Sequence, residues 1–302
     1  EAAKNPTLNP DKAAGILTKM SIPNENMSEF ELQCIEAFAK SHPSNYSMQL
    51  KAGESFFFNN SWKKSVQYFN AASELGTINL DLLTNLMIAQ YNAQMFQELD
   101  ATAESTITRF PNVTHGFLYG GLAKIELAAF DEAYQLLTMG KDLAINNANL
   151  ELRFELSMAE CQHHLGNYTA FDEQMDAVLA KHPNDATSIN NYAYFLALGN
   201  RRLEKKKKMI KQALELEADN KNFMDTYGWV FFQKGDYKKA IEWLTKAVEN
   251  NRDWLVFEHL GDAYAKNGQL DSAVKNWKLS QENGGKSELL LKKIKNEKYY
   301  AE

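Results

Sequence analysis

Two stretches near the end of the chain decide the fold, because they repeat one pattern of apolar, small and aromatic residues. They read YGWVFFQKGDYKKA at residues 227–240 and LGDAYAKNGQLDSA at residues 260–273. Both place a glycine after a large residue, a second glycine seven residues later and an alanine at the end. Weaker copies of this pattern recur about every 34 residues toward the N-terminus, which indicates an internal structural repeat.

One column of the pattern can be followed along most of the chain. The residue after the large position is Gly53, Met87, Gly121, Ala159, Ala193, Gly228 and Gly261, with spacings of 34, 34, 38, 34, 35 and 33. Nine residues later stand Trp62, Phe96, Phe130, Tyr168, Tyr237 and Leu270. A later column of mostly small residues reads Ala72, Thr106, Gly140, Val178, Ala213, Ala247 and Ser280. Such a ladder predicts stacked helical hairpins, with Pro43, Pro111 and Pro183 ending individual copies.

The columns resemble those of the tetratricopeptide repeat family over roughly residues 10–286. The resemblance implies an all-α fold, a right-handed α-solenoid of about eight helical hairpins plus a C-terminal capping helix. We predict a degenerate capping hairpin in residues 1–45 (helices 11–20 and 28–40), a tandem array in 46–285, and a capping helix and tail in 286–302. These parts form one continuous solenoid. The last helix, predicted over 287–299, should turn its lysines to water as a terminal cap.

Departures from the pattern predict local irregularities. Met87 and Val178 are bulky in columns of mostly small residues, so we expect their hairpins to splay or twist. The spacing of 38 predicts a longer connection around residues 146–149, and the spacing of 35 predicts an extra residue within 201–208.

Composition narrows the class of partner. A net charge of -6 and a pI near 5.7 disfavour nucleic acid and anionic membrane surfaces. No apolar run is long enough to insert into a membrane. Cys34 and Cys161 lie too far apart in a linear array to form a disulfide, and two thiols mildly favour a reducing compartment. The chain starts at Glu1 without a Met, so we expect residues upstream that hold any secretion or lipid-attachment signal.

Three groups of residues suggest chemistry and each has a simpler interpretation. Gly284-Gly285-Lys286-Ser287 resembles the end of a phosphate-binding loop but lacks the required earlier glycine, so we interpret it as a helix stop. Glu160, His163 and His164 offer metal ligands from one helix only, too few to hold an ion. The basic run at residues 201–208 favours a solvated turn over a contact with an acidic partner or lipid. The sequence therefore predicts no enzyme, no metal and no cofactor.

The resemblance places a partner-binding groove on the first helix of each hairpin. The groove residues that we predict are Phe57, Tyr91, Glu160, His163, Asn190, Tyr194, Asp225, Trp229, Phe232, Glu258 and Asp262. They differ from the Lys, Arg and Asn set of the family members that clamp a peptide carboxylate. Aromatic and aliphatic anchors with scattered acids instead suit a segment with apolar and basic residues, although single aromatics also fit packing between helices.

The predicted function is a protein–protein interaction scaffold or adaptor. The alternatives are a substrate-docking or assembly subunit of a larger enzyme or secretion or envelope complex, and an autonomous enzyme. The two C-terminal copies resemble bacterial tetratricopeptide proteins, including envelope lipoproteins, which favours a periplasmic or lipoprotein location over the cytoplasm. Replacing Trp229 and Phe232 by Ala is expected to abolish partner capture with melting nearly unchanged.

Overall fold

The computed structural model describes residues 27–76, 78–198, 203–249 and 251–300, and all their regular structure is helical. The chain divides into two compact units, residues 1–171 and 172–302. Helices of the first unit are α1 Glu29–Ser41, α2 Tyr46–Phe58, α3 Trp62–Leu75, α4 Leu80–Asn92, α5 Phe96–Arg109, α6 Thr114–Glu126, α7 Phe130–Lys141 and α8 Ala148–His164. Helix α9, Tyr168–Lys181, begins in the first unit and ends in the second.

The second unit continues the same succession of helices. Its remaining helices are α10 Ala186–Leu198, α11 Leu203–Leu216, α12 Lys221–Gln233, α13 Tyr237–Val248, α14 Trp254–Lys266, α15 Leu270–Glu282 and α16 Glu288–Asn296. In the first unit α2 to α7 pair into three consecutive hairpins with α1 before them, and in the second unit α10 to α15 pair into three more with α16 after them. The predicted all-α fold of tandem hairpins is confirmed. The predicted helix at residues 11–20 lies outside the described residues.

Each unit stacks its hairpins in the same way. In the first unit, α2 contacts α4, α4 contacts α6, and α6 contacts α8. In the second unit, α10 contacts α12 and α12 contacts α14. The first helices of successive hairpins therefore build a continuous face within each unit, which we call the first-helix face.

Small residues in the repeat ladder allow the two helices of a hairpin to touch. A Cβ at Gly121 would lie 2.4 Å from Leu137 of α7, and one at Gly261 would lie 2.5 Å from Trp277 of α15. In both hairpins the large partner stands sixteen residues after the glycine. Close packing of these pairs fills the space that the glycine leaves and excludes voids.

The splaying expected at Met87 is supported, because the backbones of α4 and α5 approach each other over a shorter stretch than those of the two helices in the other hairpins whose contacts are described. Met87 is completely buried and shares a hydrophobic cluster with Ala103, which stands sixteen residues later. Its large side chain therefore takes up space between the two helices.

The 38-residue spacing is only partly explained by a longer connection. Residues 142–147 separate α7 from α8, whereas four residues, 110–113, separate α5 from α6. Most of the extra length lies in α8, which has 17 residues against 13 in α6. The insertion therefore lengthens the N-terminal end of α8 by about one helical turn. The predicted extra residue within 201–208 lies partly outside the described residues.

The tight turns between paired helices that the structure describes each have one residue in the left-handed region. Gly166, Gly235 and Gly268 have φ of 76°, 77° and 79°, and Ala128 takes φ 59° at the equivalent place. Glycine adopts this conformation without steric cost, which explains the second glycine of the repeat pattern.

The basic run is not a solvated turn where it is described. Lys205 and Lys206 belong to α11, and the Lys205 ammonium lies 2.7 Å from Asp176. Lys206 is completely buried, and burial lowers its pKa. Helix α11 therefore begins within the basic run, and the Lys205 ammonium also lies 4.5 Å from the centroid of the Tyr192 ring.

Candidate functional site

Three of the predicted groove residues keep accessible surface on the first-helix face of the first unit. Phe57 is half-buried, with its ring edge-on to Trp62 at 5.5 Å between centroids. Tyr91 is half-buried and edge-on to Tyr119 of the next first helix at 6.2 Å. Glu160 is half-buried on α8. These side chains present a mixed aromatic and acidic surface to solvent.

Glu160 is the most perturbed carboxyl of this face. Burial raises its pKa to about 7, and the nearby Glu126 carboxylate on α6 adds to the rise. Burial raises the pKa of Glu126 and of the Tyr91 phenol as well, and both carboxylates contribute to the shift of Tyr91. Within the described residues, no cation lies at ion-pair distance from Glu160 or Glu126. The Arg153 guanidinium acts against the two carboxylates on the pKa of Tyr91, so the negative potential beside Tyr91 is only partly offset.

Glu160→Gln is expected to stabilise the protein at alkaline pH. The folded-state pKa of about 7 exceeds the ordinary 4.5, so protonated Glu160 stabilises the fold below pH 4.5 and this contribution is lost as pH rises through 7. Removing the charge should raise the free energy of unfolding at pH 8 by about 1–3 kcal/mol and change it little at pH 4. Urea unfolding at both pH values measures this, with exposed Glu104→Gln as the control expected to stay within about 0.5 kcal/mol. Equal effects at both pH values would contradict the assignment.

His163 and His164 take separate packing roles. His163 is buried, with its ring edge-on to Phe171 at 5.3 Å, whereas exposed His164 stacks on Phe130 at 4.5 Å. Burial raises the pKa of the neighbouring Cys161 thiol to about 12, and both cysteines are free. Across the described ranges, no three His, Cys, Asp or Glu side chains come together as ligands for a metal ion.

Asn190 and Tyr194 lie on α10 in the second unit. Asn190 is buried, and its side-chain oxygen has no hydrogen-bond partner among the residues described. Tyr194 is half-buried, 5.6 Å from the ring of Phe195. They lie one hairpin before the other predicted residues of this unit.

The remaining five predicted residues come together in a buried network on α12 and α14. Glu258 and Asp262 both accept hydrogen bonds from the Lys293 ammonium of α16, each at 2.8 Å. The other Asp262 oxygen accepts from the Trp277 indole at 2.8 Å. One hairpin earlier, Asp225 lies 2.9 Å from His259 Nδ1. Acids expected to face a partner are therefore paired with side chains of the same chain.

Burial and pairing act against each other on these groups. Burial raises the pKa of Asp262 to about 6, although Lys293 opposes the shift. Burial by itself would lower the pKa of Lys293 and of His259, but the surrounding carboxylates outweigh it and raise both. Lys293 is therefore a buried cation held by two carboxylates, which is stable only while all partners are present.

The aromatic anchors of the second unit are also covered. Trp229 and Phe232 are each 7% exposed, and their rings stack at 4.5 Å. The other face of Trp229 stacks on His259 at 4.1 Å. Phe232 contacts Tyr299, which follows α16, at 6.1 Å. This burial revises the expected outcome of the double alanine substitution, because melting cannot stay unchanged when two packed rings are removed.

The last helix differs from its prediction in two respects. It ends at Asn296, because Glu297 takes a left-handed conformation with φ 48°. Its lysines do not all face water, since Lys293 is 1% exposed. Lys293 follows Glu258 by 35 residues, which is about one repeat length. Continuing the repeat pattern from Glu258 into the last helix would therefore have pointed to Lys293, which the sequence analysis missed. The residues 284–285 do form a helix stop, because α15 leads into them.

Within the described helices, none combines the length and the apolar character that crossing a bilayer demands. The fold and the first-helix face together define a helical-repeat protein in which consecutive hairpins present one side of their first helices.

A model of the tetratricopeptide repeat matches residues 223–253. The chain is 26% identical over 132 residues to the TPR repeat-containing protein PA4667 of Pseudomonas aeruginosa, covering 44% of this chain and 22% of that protein. A tetratricopeptide repeat protein from Parabacteroides merdae superimposes with TM-score 0.66 at 15% identity, over 83% of this chain and 98% of that one. Yeast Tom70 superimposes with TM-score 0.67 at 15% identity, over 95% of this chain and 59% of that one. Residues 223–253 thus match a tetratricopeptide repeat, and the described chain has the fold of tetratricopeptide repeat proteins, which are typically protein–protein interaction scaffolds.

Proposed function

We propose that this chain is a non-catalytic scaffold that holds a segment of another polypeptide on its first-helix face. The observation that carries the proposal is Glu160, a half-buried carboxylate without an ion-pair partner in the described chain. Keeping an uncompensated charge on a packed surface costs stability, and such strained groups concentrate at binding sites. A cation supplied by a partner would remove that cost.

The two units offer different amounts of free surface for a partner. In the second unit, Asp225, Glu258 and Asp262 are paired with His259 and Lys293. In the first unit, Phe57, Tyr91 and Glu160 keep part of their surface exposed. The contact is therefore centred on α4, α6 and α8, and the fitting segment offers an apolar side chain to Tyr91 and a Lys or Arg to Glu160 and Glu126.

Site-specific photo-crosslinking in cells that make the protein tests the proposal. A photoreactive phenylalanine analogue at Tyr91 is expected to give a discrete adduct with another polypeptide. The same analogue at Met139, a 58% exposed residue of second helix α7, serves as the control and should give none. Glu160→Lys should reduce the Tyr91 adduct at least about tenfold, because it turns attraction for a basic side chain into repulsion.

Equal adducts at both positions, or none at Tyr91, would reject the proposed face. Recovery of the Tyr91 adduct inside a stable multi-subunit assembly would favour the alternative, a docking or assembly subunit of a larger enzyme or envelope complex. The scaffold and the docking or assembly subunit both bind a partner at this face. They differ in whether that partner belongs to a larger complex.

A further inference from the structure

The end of the chain folds back onto the first-helix face of the second unit. Helix α16 stops at Asn296, Glu297 adopts the left-handed conformation, and Lys298 N–H donates to the Lys293 carbonyl at 3.2 Å. This cap directs residues 298–300, which we call the tail, away from the helix axis. Tyr299 then contacts Phe232 of α12. Helices α13 to α16 lie between these two residues in the sequence.

Tyr299 occupies a site built from four helices, α12, α14, α15 and α16. Its ring is 6.1 Å from Phe232, and it packs on the cluster that contains Tyr264, Trp277 and Leu290. The Lys266 ammonium lies 4.3 Å from the ring centroid and that of Lys293 lies 5.7 Å from it. Two cations around one aromatic ring, with an apolar floor, are the features by which proteins hold an aromatic side chain.

The neighbouring tyrosine has no such role. Tyr300 contacts Lys292 and Lys298, at 4.4 and 5.9 Å, and its hydroxyl accepts from the Asn296 amide at 2.9 Å. These contacts all lie within the terminal segment itself. The two adjacent tyrosines thus provide a matched pair, one seated on the first-helix face and one not.

A buried hydrogen-bond donor without an acceptor lies beside this site. Trp229 stacks against Phe232 and is only 7% exposed. Its indole N–H nevertheless has no hydrogen-bond acceptor in the described chain. A buried donor without an acceptor is unfavourable, and a backbone carbonyl of an incoming segment would satisfy it.

We propose that the first-helix face around Phe232, Lys266 and Lys293 is a receptor for an aromatic side chain of a partner, and that Tyr299 occupies it in cis. The inference rests on the proposed function, since it assigns a contact for a polypeptide partner to the first-helix face of the second unit. Only Glu297 and Lys298 separate Tyr299 from α16, so its ring has an effective concentration in the millimolar range at the site and excludes ligands too weak to outcompete it.

The test measures binding of a fluorescein-labelled peptide of residues 296–302, NEKYYAE, by fluorescence anisotropy. The protein is titrated up to about 1 mM, because a competing ligand must overcome the effective concentration of the tail. Tyr299→Ala is expected to bind this peptide at least about tenfold more tightly than the unchanged chain, because its own ring no longer fills the site. A chain that ends at Lys298 is expected to behave in the same way, and neither change removes a residue of a helix. Tyr300→Ala and Tyr299→Phe should match the unchanged chain.

A peptide with Ala in place of Tyr299 should not bind any of these proteins. Equal binding to the unchanged chain and to Tyr299→Ala would show that the tail does not fill the site. The absence of binding to both Tyr299→Ala and the chain ending at Lys298 would overturn the receptor itself. Neither outcome affects the crosslink at Tyr91, which lies in the first unit, so failure of this inference is distinct from failure of the proposed function.

Discussion

Lys293→Ala is expected to destabilise the end of the repeat array by about 3–5 kcal/mol, the usual result of removing one partner from a buried ion pair. The lysine is 1% exposed and its ammonium is the partner of both Glu258 and Asp262. Without it, two carboxylates on α14 stay buried and uncompensated. Because each repeat is stabilised by its neighbours, the loss should be concentrated in α14, α15 and α16.

Hydrogen exchange of backbone amides measures this effect helix by helix. Protection in residues 254–296 should fall by about two to three orders of magnitude at pH 8, at 1.4 kcal/mol for each factor of ten. Lys295→Ala, at an exposed position of the same helix, is the matched control and should change protection by less than about threefold. The same result for Lys293→Ala and Lys295→Ala would contradict the buried network.

The penalty should also depend on pH. The pKa of Asp262 is already raised to about 6 in the intact protein, and loss of Lys293 removes the charge that opposes the rise. The Lys293→Ala penalty is therefore largest above pH 7 and shrinks as pH falls toward 5 and the carboxyl takes up a proton. A triple variant, Lys293→Met with Glu258→Gln and Asp262→Asn, carries no charge at these positions and should recover most of the loss.

Trp229→Ala is expected to cost about 3–5 kcal/mol, the range for truncating a large buried aromatic side chain. Both faces of the indole are covered, by His259 at 4.1 Å and by Phe232 at 4.5 Å. The cavity would leave His259 without its stacking partner as well. Trp243→Ala, in the second helix of the same hairpin where the indole is half-buried, should cost less than half as much.

Trp229→Phe separates packing from hydrogen bonding at the same position. A phenyl ring keeps most of the stacking and removes an indole N–H that lacks an acceptor in the described chain. We expect a loss of at most about 1 kcal/mol, because the gain from removing the unsatisfied donor offsets lost contact area. Urea unfolding measures all three variants. A Trp229→Phe loss as large as that of Trp229→Ala would indicate that the indole N–H has a partner.

Much of the fold is local in origin, which is why the sequence predicts it. The ladder from Gly53 to Gly261 predicts the helical hairpins, because each of its four glycines packs closely against the residue sixteen positions later. The prolines at 43, 111 and 183 predict the connections between hairpins, which fall between helices as expected. Such short-range constraints repeat in every copy and reinforce one another.

The exposure of the candidate site residues could not be predicted, because it depends on contacts between residues of different repeats. The sequence placed Asp225, Trp229, Phe232, Glu258 and Asp262 on first helices, and they do lie on α12 and α14. It did not reveal that Lys293 and Tyr299 would cover several of them. A lysine in an amphipathic terminal helix is usually solvated, and only a pair of facing carboxylates makes its burial favourable.

The amino-acid sequence by itself determined the all-α repeat architecture and the helices on which the candidate residues lie, because helical periodicity and hairpin contacts are short-range. The tertiary structure alone decided which of these residues stay available, since that depends on charge pairing and packing between hairpins. Glu160 and Tyr91 keep exposed surface, whereas Glu258 and Asp262 are neutralised by Lys293 from one repeat length away. Burial of a charge depends on which partner lies opposite it, and only the packed chain brings those partners together.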